Sequence, residues 1–416
     1  MAIGVVGLGY VGLPLVVAFA QTGEQVIAVD VDQGKIDVLA VGESYVEDIS
    51  SELLRSVLAN VRAGTDYAPL AQAEAILICV PTPLTANREP DLRPLEDSAR
   101  ALAEVVREGQ LIVLESTSYP GTTRELLVPA LERGSSLTAG EGFNVAFSPE
   151  RVDPGRTDYT LRNTPKVVGG ITETCGDRAE ELYGRVCEAI VRVSTPEAAE
   201  LTKLLENIFR SVNIALVNEL SMVAERMGID IWEVVDAAAT KPYGFMPFEP
   251  GPGMGGHCLP VDPFYLTWRA REFHMSTEFI ELAGKINQQM PLHCVERIDL
   301  ALNDAAKPIR GSKIVLLGVA YKGGIGDIRE SPALRIIEEL TRRGADLFYH
   351  DPHVPELTEF NLTSTALTQA LDGADAVVLV TAHPEIDHLK IAREAALFVD
   401  LRGVTRGVTH ENLVRL

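Results

Sequence analysis

Cys258 ends the run Gly251-Pro252-Gly253-Met254-Gly255-Gly256-His257-Cys258, and Leu259-Pro260-Val261-Asp262 follow it. A thiolate is a strong nucleophile, and the glycines ahead of it let backbone turn sharply against a ligand. Such a site also needs a base and donors for a developing oxyanion. Asp262 could orient water or accept its proton. Lys203 and Asn207 could be the donors, and a lysine ammonium would help to lower the thiol's pKa. Spacing does not establish these pairings, because 55 residues separate Lys203 from Cys258. A buried structural cysteine is the competing reading.

A second chemistry-bearing pattern opens the chain. Ile3-Gly-Val-Val6 reads as a short buried strand, followed by Gly7-Leu-Gly9-Tyr-Val-Gly12 and an apolar helix to about Thr22. This is the GxGxxG spacing: one glycine for the turn, one for approach of a pyrophosphate, one for close helix–strand packing. The helix start offers free N–H groups to phosphate. Pro14 fits in its first turn. Gln25 to Asp30 supplies the next strand, and Asp30 falls 18 residues past Gly12, where a carboxylate reaches ribose hydroxyls. Asp30 and Asp32 would repel a 2′-phosphate, which favours NAD over NADP. A nucleotide fold that uses FAD or S-adenosylmethionine, or has lost its cofactor, is the alternative. An alcohol beside nicotinamide yields an aldehyde. A thiol beside both allows a hemithioacetal, a second hydride transfer and a thioester that water hydrolyses.

Composition narrows the setting. The net charge of −22 argues against nucleic acid and against an anionic membrane surface. Residues 2–20 are uncharged and largely apolar, but their glycines and proline fit strand, turn and helix better than a membrane span or signal peptide. The five cysteines, at 79, 175, 187, 258 and 294, show no knuckle or ladder spacing, so a reducing, cytoplasmic setting is expected. Cys79 reads as a small core residue within a strand. His350-Asp-Pro-His353 does not define a metal site, and none is expected.

The elements that must position these groups follow from periodicity. Ala75–Val80, Leu111–Glu115 and Lys166–Val168 fit further parallel strands, and the loops Pro81-Thr82-Pro83 and Ser116-Thr117-Ser118 lie where open α/β sheets place ligands. Pro196 to Leu220 reads as one long helix with Thr195 as N-cap, an apolar stripe at Leu201, Leu204, Leu205, Ile208 and Val212, and Lys203, Asn207 and Arg210 on another face. That polar face could simply be solvated. Lys307-Pro308 marks a hinge. Beyond it, Gly311–Gly318, Asp346–Tyr349, Ala376–Val380 and Ala396–Asp400 predict a second parallel sheet. Lys322, Arg329 and Arg402 at its strand ends suggest a second phosphate-bearing ligand, unless each pairs with a neighbouring acid.

Together the glycine fingerprint, Ser116-Thr117 with Pro120-Gly121-Thr122-Thr123, Ser148-Pro149-Glu150-Arg151, Lys203 with Asn207, Gly251 to Asp262, and Lys322 to Pro332 resemble the UDP-glucose/GDP-mannose dehydrogenase family over essentially the full length. The resemblance implies an α/β fold of two Rossmann-like parallel-sheet domains joined by a long central helix and a helical dimerisation region. The expected segments are 1–195 for NAD, 196–300 as linker and dimer core, and 301–416 for the UDP-sugar, with the site between the domains. It implies Cys258 as nucleophile, Lys203 and Asn207 on the oxyanion, Asp262 in acid–base steps, and Thr117 and Glu150 at the reacting carbon and its water, Glu150 also being a candidate base for thioester hydrolysis. It implies Gly7, Gly9, Tyr10, Val11, Gly12, Asp30, Thr82, Thr117 and Arg329 at the cofactor. Glu150, Arg151, Lys203, Asn207, Arg210, Phe248, Gly251, Gly255, Lys322 and Arg402 are implied at the substrate. The partners implied are a UDP-sugar and a second copy of the chain, as a homodimer or higher homo-oligomer.

The segment Ser148 to Gly155, with Lys241–Phe245, Pro250–Gly253 and Pro263–Arg269, is similar to the branch that oxidises UDP-N-acetylglucosamine for surface polysaccharides. UDP-N-acetylmannosamine and UDP-glucose remain alternatives. Arg151 and Arg210 are candidate partners for an acetamido carbonyl. A non-catalytic nucleotide-sugar-binding protein and an alcohol dehydrogenase that stops at the aldehyde are the rival classes.

Overall fold

Ile3 and Val5 pack with Leu77 and Val113 on one side of a sheet, while Val6 packs with Ile76, Ile78, Ile112 and Leu114 on the other. Strand residues alternate between faces, so runs that are apolar throughout must be covered on both. The computed structural model describes residues 2–85, 89–153, 158–256 and 258–416, without the side chains of 258–260. The chain divides into two compact units, Met1–Glu206 with Phe264–Met275, and Asn207–Pro263 with Ser276–Leu416.

The first unit is built on β1 (Ala2–Val6), β2 (Gln25–Val29), β3 (Val61–Gly64), β4 (Ala75–Ile78), β5 (Leu111–Leu114), β6 (Asn144–Phe147), β7 (Lys166–Gly170) and β8 (Ile190–Val193). Their order is β3-β2-β1-β4-β5-β6-β7-β8. Six strands run parallel, but β7 meets β6 antiparallel, with Ala146 opposite Gly170 and Phe147 opposite Gly169. The Lys166–Val168 segment is therefore not one more parallel strand on β6. A parallel return needs a crossover, usually a helix, and the described part of the β6–β7 connection carries none. β7 and β8 are parallel to each other. Cys79 lies one residue past β4, not within it.

The long helix runs Pro196–Met227, beyond the expected Leu220. Thr195 caps it, its hydroxyl accepting the Ala198 N–H at 3.2 Å. Its polarity is the reverse of a solvated polar face: Lys203 and Asn207 are buried, while Leu201 and Leu205 of the apolar stripe are 44% and 63% exposed.

In the second unit, β9 (Lys313–Leu317), β10 (Asp346–His350), β13 (Ala376–Leu379), β14 (Phe398–Asp400) and β15 (Leu413–Arg415) form a parallel sheet ordered β10-β9-β13-β14-β15. A two-stranded antiparallel pair, β11 (Glu356–Leu357) with β12 (Leu362–Thr363), follows β10. Met290, Cys294, Val295 and Ile298 of the helix Glu278–Asp304 pack with Ile314, Leu316 and Val378. In each sheet the first strand of the unit has neighbours on both sides, β2 and β4 for β1, β10 and β13 for β9. The loop after such a strand opens at a switch point, the place where open α/β sheets hold ligands. Among the described residues no helix is long and apolar enough to cross a membrane.

Candidate active site

The glycine turn after β1 is shaped by contact. A Cβ on Gly12 would fall 1.8 Å from the Gly7 carbonyl oxygen, so the helix Gly12–Gln21 packs as closely as it does only because residue 12 has no side chain. A Cβ on Gly9 would meet nothing within 4 Å, which leaves its backbone open to a ligand. The Asp30 carboxylate, at the end of β2, accepts the Leu8 N–H at 2.8 Å and the Asp32 N–H at 2.9 Å, with Lys35 Nζ at 3.0 Å. Burial alone would raise its pKa; those donors outweigh it and hold the group below its ordinary value. A carboxylate anchored beside an open glycine backbone fits the ribose and pyrophosphate of NAD. Thr82 is buried, and its hydroxyl donates to the Thr117 carbonyl at 2.7 Å, tying together the loops after β4 and β5.

A cavity of about 1110 Å³ in this unit is lined by Tyr10 of the glycine turn, Pro14, Glu150, Val152, Tyr159 and further residues. Glu150 accepts the N–H groups of Arg151 at 2.8 Å and Val152 at 2.6 Å. Burial would raise its pKa, but Lys166, these N–H groups and Lys203 hold it below the ordinary value. Lys166 Nζ stands 2.6 Å from Glu115 Oε2, 3.1 Å from the Pro149 carbonyl and 3.4 Å from Glu150 Oε2. Tyr183 donates its hydroxyl to the other Glu115 oxygen. Arg151 is engaged by Glu206 at 2.6 Å and the Pro165 carbonyl at 2.6 Å, so it clamps the loop that carries Glu150. Gly121 N–H, Thr123 N–H and Thr123 hydroxyl all donate to the buried Glu200 carboxylate, whose burial pushes its pKa up to about 7.

In the second unit Asn207 donates its amide to Asp262, and Arg210 donates to the Asn207 carbonyl oxygen. Cys258 is the first residue of the helix Cys258–Glu272. Its side chain, on which the nucleophile expectation rests, lies outside the described residues, as do Pro154 and Gly155 of the Glu150 motif. The Gly251–Gly256 loop is fastened along its length. Gly251 N–H donates to Asn218 at 2.9 Å, and Gly256 N–H to the Arg329 carbonyl at 2.8 Å. A Cβ on Gly255 would come within 2.4 Å of Tyr321 in the loop after β9. Arg402 is largely buried, gives its Nε–H to the Val380 carbonyl at 2.6 Å, and lies beside Gly251. Lys322 sits in the loop after β9. Arg329 makes a two-point ion pair with Asp327, at 2.6 and 3.0 Å. Phe248 stacks edge-on against Phe209, ring centroids 5.7 Å apart.

Sequence reasoning missed Lys166, Glu115, Tyr183 and Glu200. The first two had a signal: a charge at the start of the wholly buried β7, and another directly after the wholly buried β5. The His353 ring lies against His383 and pairs with Glu385 at 3.1 Å, while His350 bonds the Thr365 carbonyl. Both His383 ring nitrogens are already engaged, by Asp351 and by Gly324 N–H, so the group offers no ready metal site.

A dinucleotide turn after β1 and two sheets that each open at a switch point define a class, the nucleotide-binding α/β proteins. Residues 1–187, 197–289 and 315–407 match the NAD binding, central and UDP binding domains of the UDP-glucose/GDP-mannose dehydrogenase family. The chain is 35% identical over 428 residues to UDP-N-acetyl-D-mannosamine dehydrogenase of Pyrococcus horikoshii, covering 98% of this chain and 100% of that protein. It is 34% identical over 394 residues to UDP-N-acetyl-D-glucosamine 6-dehydrogenase of Pseudomonas aeruginosa, covering 94% and 92%. The solved structure of the Pyrococcus horikoshii UDP-D-ManNAc dehydrogenase superposes with a TM-score of 0.91 at 33% identity, covering 100% of this chain and 99% of that one. The chain belongs to the UDP-glucose/GDP-mannose dehydrogenase family, and its activity is NAD-dependent oxidation of a nucleotide sugar.

Proposed function

We propose that the protein oxidises the C6 alcohol of UDP-N-acetylglucosamine to the carboxylate, in two steps, through a thioester on Cys258. The observation that carries this reading is the placement of Cys258 as the first residue of a helix whose Asp262 is held by Asn207. NAD, when bound, accepts the hydrides. The chain does the rest. Cys258 adds as thiolate to the aldehyde carbon. Lys203 and Asn207 donate to the developing oxyanion, and Asp262 fixes the Asn207 amide. Glu150 accepts the proton of the hydrolytic water. Thr117 positions that water. Gly251, Gly255, Phe248, Lys322 and Arg402 hold the UDP-sugar, and Arg151 and Arg210 border its acetamido group.

In this reading 1–195 binds the cofactor, 196–300 links and dimerises, and 301–416 binds the UDP-sugar. A homodimer would cover Phe209, Leu216, Leu220, Val223 and Met227, an exposed apolar series along the long helix. UDP-N-acetylmannosamine is the second reading, favoured by the end-to-end match to the Pyrococcus horikoshii enzyme.

Incubation with NAD and UDP-glucose, UDP-galactose, UDP-N-acetylglucosamine, UDP-N-acetylmannosamine, UDP-N-acetylgalactosamine or GDP-mannose tests the proposal. UDP-N-acetylglucosamine should turn over best, with two NADH per sugar and a carboxylate product by mass. Faster turnover of UDP-N-acetylmannosamine selects the second reading. One NADH and an aldehyde would defeat the thioester route.

A further inference from the structure

Two carboxylates and one ammonium share a buried space in the first unit. Glu115 and Lys166 are almost wholly enclosed, and Lys166 reaches both Glu115 and Glu150. Burying a charged triad is costly, and close packing by apolar residues of the same size would often be no less stable. The arrangement therefore points to a task. Glu115 directly follows the wholly apolar β5, its N–H bonded to the Ile78 carbonyl at 2.9 Å, and Lys166 opens β7, so each is held against the sheet. Glu150, on the other side of the Lys166 ammonium from Glu115, is on a loop and lines the cavity that also holds Tyr10.

We propose that Lys166 is a positioning residue for the hydrolytic half of the reaction: shared between Glu115 and Glu150, it aims the Glu150 carboxylate and keeps it ready to receive a proton from water. The inference rests on the reading of Glu150 as the base. In the step concerned, the water oxygen bonds to the acyl carbon and its proton goes to Glu150. The C–S bond breaks, and its electron pair leaves with the Cys258 sulfur. Before that step the triad carries one net negative charge; after it, none. The proton thus neutralises a buried site instead of creating a new buried charge.

The groups facing Glu150 are consistent with this. Lys166 comes from β7, Lys203 from the long helix and Glu115 from directly after β5. Tyr183, from the helix Glu173–Tyr183, holds the far oxygen of Glu115. Cys79 and Cys187 also lie near the triad. Burial pushes the first thiol well up and the second up to about 11, so neither competes as an anion. Glu115 is pushed up by burial, while Glu150 is held down by Lys166 and the backbone. The two carboxylates are thus made unlike, as an acid–base division of labour requires.

Opposite shifts in one pH profile test the assignment. The full-length protein is mixed with NAD and UDP-N-acetylglucosamine, and in parallel UDP-N-acetylmannosamine. The acid-forming rate is followed from pH 5 to 10, and covalent adduct on the protein is read by intact mass. Lys166→Met removes the cation, so the rising limb should move to higher pH, acid output at pH 7 should fall about 10-fold or more, and adduct should accumulate. Lys166→Arg should restore most of the output. Glu115→Gln leaves Lys166 wholly to Glu150 and should move the limb to lower pH. Its amide oxygen still accepts from Lys166 while its NH2 can donate to the Tyr183 hydroxyl oxygen, so it reports even if Lys166→Met does not fold. Glu150→Gln is the reference and should accumulate adduct. Adduct with Glu150→Gln but an unmoved limb in Glu115→Gln and in folded Lys166→Met overturns the role of Lys166 alone. No adduct with Glu150→Gln removes Glu150 as base, and no NADH from either sugar removes the reaction itself; either result overturns the proposal as well.

Discussion

Asn207 and Asp262 are joined amide to carboxylate, both side chains buried, although 55 positions separate them in the chain. A buried amide without an acceptor costs about 1–3 kcal/mol. Asp262→Ala should therefore lower stability by that amount and lower kcat at least about 100-fold, because the Asn207 donor loses its direction. Asp262→Asn can keep the hydrogen bond. It should melt within a few degrees of the parent while still losing most of kcat, which separates charge from scaffold. Melting curves beside steady-state rates decide the matter, and full activity in Asp262→Asn would leave the carboxylate without a chemical role.

Cys258→Ser keeps the size of the side chain but replaces a thiol with a poorly acidic alcohol. Acid output should fall by about 1,000-fold or more, and UDP binding, read by calorimetry, should stay within a few-fold. Undiminished carboxylate in the product mass spectrum would remove Cys258 from the mechanism.

The second and third glycines of the first turn make opposite demands. Gly12→Ala places a methyl group 1.8 Å from the Gly7 oxygen and should destabilise the first unit by roughly 3 kcal/mol or more. Gly9→Ala meets no atom within 4 Å, so stability should stay within about 1 kcal/mol. Its methyl group stands where a pyrophosphate approaches, so NAD affinity should fall about 10-fold. Denaturant midpoints and NAD titration of both variants check the pair; equal stability of the two would contradict the packing argument.

What could be read from sequence was local. The glycine turn, Asp30 at a strand end and the apolar runs of both sheets each announce themselves within a few residues, because their chemistry and their packing are set by neighbours in the chain. The reversal of β7 did not, since strand direction depends on a connection rather than on the strand's own residues. Nor did the inward turn of Lys203 and Asn207. Helical periodicity shows that two faces differ, but not that Lys203 and Asn207 turn inward while Leu201 and Leu205 stay exposed. Lys166 and Glu115 were legible only as charges out of place; their pairing across 51 positions needed the fold.

Asp351, one residue past β10, is a node of hydrogen bonds in the second unit. One carboxylate oxygen accepts Val319 N–H at 2.8 Å, Ala320 N–H at 3.0 Å and His383 Nε2–H at 3.0 Å; the other accepts His353 N–H at 2.8 Å and Val354 N–H at 3.1 Å. Burial would raise its pKa, but these donors prevail and bring it down to about 2 from 3.8. A depressed carboxylate contributes stability that is present above its unfolded pKa and lost as pH falls through the folded one. The window is therefore about pH 4 to 2, and the contribution is on the order of 2 kcal/mol at ~1.4 kcal/mol per unit. Asp351→Asn cannot ionise and lacks this contribution at every pH. Urea unfolding of both proteins from pH 6 to 2 should show a stability gap that is constant down to about pH 4 and then narrows by roughly 2 kcal/mol. A gap that stays constant through pH 2 would mean that the five donors act on the fold without favouring the ionised carboxylate.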